Sequence, residues 1–446
     1  MKPESIPVTA SMDATQRRLI LGIAMLSILA LAGVIAALAI GGRPDPAALR
    51  AQATLLDGTW QFHTGDDPRW AAVDMDDSDW ETIDMTALPG SHDGDVGLPD
   101  YVGGWMAHGH PGHHGYAWYR RTVTVPEGFE AWDILGPTLV DHAYELYWNG
   151  QLLGGSGRLG TAPRAVGTRP MRFALPAHSA GTRGVIAVRA YMLPGGGSAD
   201  GGGMHAPPIL APRPVSDALH RVQWARTIAG YIVEVVEPIA MFAVIGMALA
   251  LLSRSSRRGF LLLASIALAL MGTRRLNNAI VAWTDLQSLT TYAWLASIMW
   301  VPTMTAWVLA WNRWCLPPSR SVDAGAVALG LLALAGVQTN VAALTSAGRL
   351  GSIVLFLVIA VRILRSESLR VLALVTLVSM MAALFGGELL DPIGVPGIWF
   401  PFGIGVSRIQ YVYAIAIPLL ALLIARTFSA SASNQLAVNP LPVAAQ

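Results

Sequence analysis

The sequence predicts a mixed multidomain protein: an extracytoplasmic all-β jelly-roll sandwich joined to an α-helical seven-helix transmembrane bundle, with one more apolar segment at the N-terminus. Three observations predict it. The 446 residues are 53% hydrophobic and 13% charged, where ordinary soluble domains carry roughly 25% charged residues, and mean hydropathy is +0.47. The apolar residues are segregated: 19–40 is one run, 43–215 is polar and rich in Gly and Trp, and 226–428 alternates apolar segments with short charged loops. Within the polar region, short runs alternate apolar and polar side chains between Gly, Pro and Asn, the two-residue period of strands half-buried in a sheet.

Taken in order, residues 1–42 combine a cytoplasmic N-terminus with an anchor or signal segment. The apolar run exceeds the roughly 7–15 residues of a signal-peptide core, which favours a retained anchor, while Ala37-Leu38-Ala39 is a small-x-small cleavage pattern. In 43–215, DGTWQFHTG, YAWYRRTVTV, AYELYWNGQLLGG, PMRFALP and GVIAVRAYM have strand character. Along the second of these, Tyr119, Arg121, Val123 and Val125 share one face, and Trp118, Arg120, Thr122 and Thr124 the other. Asn149-Gly150, between ELYW and QLL, specifies a two-residue hairpin, because such a turn needs positive φ at both positions. Seven apolar segments follow, 226–252, 259–283, 289–312, 323–345, 349–364, 370–390 and 408–428, measured against the ~20 residues a spanning helix needs at 1.5 Å rise each. Together with 216–225 they make up a helical domain of residues 216–428, and 429–446 read as a disordered tail.

Arginine placement orients the segments. With the N-terminus inside, Arg17, Arg18, Arg254, Arg257, Arg258, Arg313, Arg320, Arg362, Arg365, Arg370 and Arg426 fall at cytoplasmic ends, and Arg349 and Arg408 are the main exceptions. This puts 43–215 outside the cytoplasm and the C-terminus inside. A formal net charge of +1 with no long basic run argues against a nucleic-acid partner; membrane lipid is the partner the composition demands. The single cysteine, Cys315, supplies neither an intrachain disulfide nor a thiol-based zinc site, and no cofactor is predicted. All ten histidines lie between His63 and His220, so the membrane half has no histidine relay.

The blocks LDGTWQFHTGDDPRW, DDSDWETI, GYAWYRRTVTVP and VDHAYELYWNGQLLGGSG, in that order within 55–192, resemble the N-terminal sugar-binding sandwich of family-two glycoside hydrolases, the β-galactosidase group. Followed by seven helices, such a galactose-binding-like sandwich resembles the bacterial seven-transmembrane receptors with diverse intracellular signalling modules. The resemblance implies a bacterial inner-membrane protein whose periplasmic domain binds a carbohydrate or related envelope ligand and whose bundle takes part in signal transduction. In that family a cytoplasmic output domain usually follows the last helix; here only SASASNQLAVNPLPVAAQ follows Phe428, so the implied reader is a separate cytoplasmic signalling protein. The hydrolases' catalytic barrel has no counterpart, and no carboxylate pair at about 5–9.5 Å stands out, which predicts a non-enzyme. The other reading is a non-signalling accessory or scaffold protein of envelope glycan assembly or export.

Candidate ligand-binding residues are Trp105, His108, His110, Trp118 and Arg120. Trp105, beside Gly103 and Gly104 in a loop, is a candidate stacking platform, against the competing reading of a core aromatic. In WMAHGHPGHHG, residues His108, His110, His113 and His114 are alternative ligands for a metal, although no carboxylate or Cys completes a familiar motif and a polar insertion reads as well. The acidic run 74–81 departs from the EF-hand pattern at Asp79, where Gly is required, and at Met85, where Glu is required. It reads as a solvated loop with Asx turns, or as a structural calcium site of another kind.

In the membrane half, Glu234, Arg274, Arg275 and Glu388 lie about 22–28 Å above the cytoplasmic ends of their segments. An intramembrane charge costs roughly 2.5–3.5 kcal/mol, so acid and base at one depth should pair or reach the interface. Gly386 and Gly387, ahead of Glu388, permit close helix approach. The expectation is an ion pair from Glu388 to Arg274 or Arg275, joining segments 259–283 and 370–390.

Overall fold

The computed structural model describes residues 46–195, 199–366, 369–400 and 403–438. The 19–40 run, and with it the choice between anchor and signal, lies outside them.

The polar region forms two antiparallel sheets packed as a sandwich, with a two-stranded pair, Val140–Asp141 with Gly203–Met204, beside them. In chain order the strands are β1 (Thr54–Leu55), β2 (Thr59–Thr64), β3 (Glu81–Asp84), β4 (Gly115–Thr124), β5 (Trp132–Leu135), β6 (Val140–Asp141), β7 (Ala143–Trp148), β8 (Gln151–Ser156), β9 (Arg172–Ala174), β10 (Arg183–Met192), β11 (Gly203–Met204) and β12 (Ile209–Pro212). The larger sheet has the order β3-β2-β4-β10-β7-β8 and the smaller β1-β12-β5-β9. Trp60, Phe62, Tyr119, Leu146, Ile186 and Val188 from the first meet Ile134, Phe173 and Leu210 from the second in one core. Each such side chain stabilises by about 1.5–3 kcal/mol on burial.

Strand β4 shows how far two-residue periodicity carries. Tyr119 and Val123, which share one face as the alternation has them, point to the core, yet Trp118 and Arg120 on the opposite face are buried too, because segment 66–80 folds back over that side of the sheet. Only Thr122 and Thr124 on that face stay exposed. The β7–β8 turn has Asn149 at φ +48° and Gly150 at +80°, the conformation the Asn-Gly pair predicts.

The rest of the chain is helical apart from a short antiparallel pair, Ile398–Trp399 with Val406–Ser407: after α1 (Pro46–Arg50) come α2 (Arg213–Tyr231), α3 (Val233–Leu251), α4 (Arg258–Trp283), α5 (Leu289–Trp314), α6 (Arg320–Thr339), α7 (Ala342–Ser366), α8 (Arg370–Leu384), α9 (Gly386–Leu390) and α10 (Arg408–Val438). Six spans are long and apolar enough to cross a membrane, with α2 and α3 counted together, or up to seven if the bent pair α8 and α9 makes one. This is a multi-pass membrane protein. Trp307, Trp311, Trp314, Phe260 and Phe356 are among its most buried side chains.

Four boundaries differ from expectation. Strand β12 runs straight into α2, whose Val215 and Leu219 pack on Leu135, Ile209 and Ala211 of the smaller sheet, so a boundary after 215 cuts a helix that belongs partly to the β region. Segment 323–345 ends early: Asn340 sits at φ +54°, a left-handed cap that Asn tolerates, and α7 starts at Ala342. Segment 370–390 is no straight helix, since α8 and the short helical stretch after it meet at 101°, with Gly386, Gly387 and Pro392 weakening helical continuity there. Residues 429–438, expected in a disordered tail, continue α10.

Candidate functional site

Three places bring chemically active side chains together. The first is the loop before β4. Trp105 is fully buried, its indole Nε1 donating to the His113 carbonyl at 3.1 Å, with Phe62 and His113 against its ring at 6.1 and 5.4 Å. The Gly202 and Gly203 backbone lies so close to it that a Cβ at either would clash. The stacking role expected of Trp105 is therefore corrected: no ring face is left for a ligand. Trp118 is equally buried, stacked on Tyr147 at 5.6 Å. Arg120 pairs with Asp77 at 2.8 Å and donates to the carbonyls of Trp70 and Ala72, which clamps the acidic segment to the sheet. Asp76 Oδ1 accepts from the Ser78 amide at 3.1 Å, an Asx turn in that segment.

The loop histidines have separate partners. His108 Nδ1 lies 3.0 Å from the Gly104 carbonyl, His113 Nε2 lies 3.1 Å from that of Tyr116, and His110 Nε2 lies 2.9 Å from Glu81 Oε1. The His110 contact is short, but its angle falls outside hydrogen-bond geometry. With His114 Nδ1 unpartnered, the four imidazoles do not converge, and among the described residues no three metal-ligating side chains form a group.

The second place is the outward face of the larger sheet. The β4–β10–β7 register sets Tyr116 opposite Tyr191, Trp118 opposite Arg189, and Arg189 opposite Glu145. Arg189 grips Asp66 through Nε and Nη2 at 2.7 and 2.6 Å, reaches Glu145 at 3.1 Å, and lies 4.9 Å from the Tyr116 ring centre. Tyr147 donates to Glu145 at 2.6 Å. The Tyr116, Tyr147 and Tyr191 rings are half-buried and Arg189 is buried, so three aromatic rings and two partly exposed carboxylates surround a guanidinium that already pairs with both carboxylates.

The third is the sandwich-proximal end of the helices. Arg275 on α4 places Nη2 2.9 Å from Glu234 Oε1 and Nε 2.9 Å from Glu237 Oε2, both on α3. Glu234 also accepts from Gln410 at 3.0 Å and from Asn278 at 3.2 Å, and Asn278 in turn accepts from Tyr292 at 3.0 Å. Helices α3, α4, α5 and α10 are thus tied by one polar network. Glu388 does not meet Arg274 or Arg275: it pairs with Arg349 of α7, which also lies 4.2 Å from the Trp300 ring centre. The expected pair is corrected because the bend after α8 turns α9 toward α7. Arg274, half-buried, makes no hydrogen bond or ion pair among the described residues.

A polar seam joins this end to the β region. Arg226 donates to the Gly97 carbonyl at 2.5 Å, Tyr231 to Asp95 at 3.0 Å, and Arg164 to the Asp285 carbonyl at 2.7 Å. Leu289 donates its amide to the Ala165 carbonyl at 2.9 Å. Burial raises the Asp95 carboxyl above its usual range despite the Tyr231 hydroxyl. Above the seam, His205 Nε2 meets Asp141 Oδ2 at 3.1 Å, with the Tyr101 ring stacked on the imidazole at 5.2 Å. Burial opposes charge on both partners and their pairing outweighs it: Asp141 is held at about 2 and His205 above its ordinary value.

No family model matches the chain, and no curated protein matches it. Among solved structures the chain is similar to a Bacteroides uniformis β-glucuronidase at 23% identity, over 36% of this chain and 17% of that one, with TM-score 0.27. Bifidobacterium dentium β-glucuronidase complexed with coumarin-3-O-glucuronide matches at 22% identity, over 31% and 20%, with TM-score 0.22. Faecalibacterium prausnitzii β-glucuronidase matches at 19% identity, over 36% and 31%, with TM-score 0.24. The chain spans less than a third of the length of each.

Glu237 and Arg349 were missed by sequence reasoning, although both carry a signal. Glu237 is one helical turn from Glu234 and about 22 Å above Leu252, near the roughly 24 Å of Arg274 above Arg258. Arg349 is the first residue of the expected segment 349–364, and the break at Asn340, which starts α7 at Ala342, puts it about two turns inside the helix instead.

Proposed function

We propose that this chain is a receptor-like protein of the bacterial inner membrane whose jelly-roll sandwich faces the periplasm and binds a carbohydrate or related envelope ligand, and whose seven spans relay the event to a separate cytoplasmic signalling protein. The observation that carries the reading is the joint: β12 passes into α2 without a linker, and the seam fastens loops 91–99 and 157–170 to α2, α4 and α5. A displacement of the smaller sheet thereby becomes a displacement of α2 and α3. The arginine bias supports the sidedness.

The outward face of the larger sheet supplies the ligand chemistry this reading requires. Sugar rings pack their C–H faces on aromatic rings while their hydroxyls bond to carboxylates; Tyr116, Tyr147 and Tyr191 with Asp66 and Glu145 present both kinds of group, and the buried Arg189 holds the two carboxylates in place. The test is a glycan array probed with the full chain in nanodiscs, repeated for Tyr147→Ala and Tyr116→Ala. Binding weakened at least tenfold in these variants supports the reading, and equal binding removes the face from it. Reporter fusions after Arg258 and Phe428 should report cytoplasm, and fusions after Gly155 and Thr284 the outside; reversal at two of them sinks the orientation.

A further inference from the structure

We infer that a cavity between α4, α5, α7 and the α8–α9 break binds a single phosphate-sized oxyanion, held by Arg274, Arg275 and Arg349. The cavity has a volume of about 120 Å³, and its charged lining consists of these three arginines alone. Trp300, Thr303 and Tyr413 complete much of its wall. The carboxylates nearby, Glu234, Glu237 and Glu388, do not line it.

The guanidinium groups have donors to spare. Each carries five N–H bonds in a planar fork suited to phosphate or carboxylate oxygens. Arg274 uses none of them on the described residues. Arg275 directs Nε to Glu237, while its buried Nη2 stands beside Glu234 without hydrogen-bond geometry. Arg349 spends Nε and Nη2 on Glu388 and the Leu384 carbonyl, leaving Nη1. Cationic donors left unmet inside an apolar bundle are costly, and an oxyanion seated among three arginines satisfies them together. The space admits several waters, since one needs only about 10–15 Å³ of such volume, and so has room for a phosphate group. The same chemistry is offered by free inorganic phosphate and by the headgroup of a phospholipid entering from the bilayer. The inference stands apart from the receptor reading, because glycan binding on the outer sheet neither requires nor excludes it.

The experiment uses the full chain in an uncharged, phosphate-free detergent. Thermal unfolding is followed with added inorganic phosphate against chloride at equal ionic strength, and native mass spectrometry records retained phospholipid before and after transfer to phosphatidylglycerol nanodiscs. Arg274→Gln breaks no ion pair and is expected to fold. Ala383→Leu, also on the wall, adds bulk without changing charge. A free-anion site gives a phosphate-dependent rise in melting temperature whose midpoint concentration increases about tenfold to a hundredfold in Arg274→Gln, the loss of one charge-assisted contact. A lipid site gives no response to phosphate but a retained phospholipid that both variants lose. If neither phosphate nor phospholipid distinguishes the parent from the variants, the cavity holds only water and the inference is overturned.

Discussion

Replacing Arg275 with glutamine removes the one cation that two buried carboxylates share. The three side chains are only 9, 7 and 7% exposed, so water compensates little for the missing charge. Breaking a buried pair by deleting one partner costs about 3–5 kcal/mol, and a glutamine amide that keeps one hydrogen bond returns about 1 kcal/mol. The expected loss is therefore about 2–4 kcal/mol, measured by reversible unfolding in mixed micelles. Converting Glu234 and Glu237 to glutamine in the same chain should restore most of it, because no uncompensated charge remains. The Arg349–Glu388 pair, with both side chains 26% exposed, should lose less when one partner is removed than the more deeply buried Arg275 network does. A loss below about 1 kcal/mol for Arg275→Gln, or no recovery in the triple variant, would refute the network reasoning.

Three further outcomes are expected. Trp105→Ala empties the centre of the sandwich and should cost about 3–5 kcal/mol, read from loss of near-ultraviolet circular dichroism at lower denaturant; a cost below 1 kcal/mol would contradict its burial. For the Asp141–His205 pair the two pH limbs have opposite signs: Asp141, held low, contributes stability above the ordinary carboxylate range that is lost as pH falls toward about 2, and His205, held high, contributes stability below the ordinary imidazole value that is lost as pH rises through its raised one. Melting temperature should therefore fall as pH rises above about 6.5 more steeply in the parent than in His205→Gln, and parallel profiles would remove the pair as the cause. In Gly167→Ala the new Cβ would clash with the Val281 carbonyl oxygen, so the seam must part; faster hydrogen exchange over 157–170 is the expected result, and unchanged exchange there would count against the contact.

What the sequence disclosed depended on how local the determining physics is. Asn149-Gly150 announced its hairpin because the turn is fixed by two residues' own φ preferences, and the strand periodicity of β4 put Tyr119 and Val123 on one face, which the structure turns to the core. The burial of Trp118 and Arg120 did not show, since it is caused by a segment some forty residues earlier lying across the sheet. Depth along a helix placed Arg275 and Glu388 in one layer, but azimuth and helix adjacency choose partners. The bend after Leu384 and the register of α7 are products of packing that spacing alone does not contain. The aromatic and charged outer face became visible only once β4, β10 and β7 were set side by side.

The bend also bears on the order in which the protein is built. At 15 residues, α8 extends only about 22 Å, against a hydrocarbon thickness of about 30 Å, so during synthesis it emerges as a segment unable to cross the bilayer by itself. Its exposed carbonyl end is met by Arg349, made earlier, while its flank awaits α10, made later: Leu377 and Met380 lie in the same core as Ile417 and Leu420. Until α10 is inserted, the half-crossing helix depends on α7 for its hold in the membrane. Ribosome-bound chains stopped before Arg408 should consequently leave 370–390 open to labelling from both sides, and chains carried past the end of α10 should protect it.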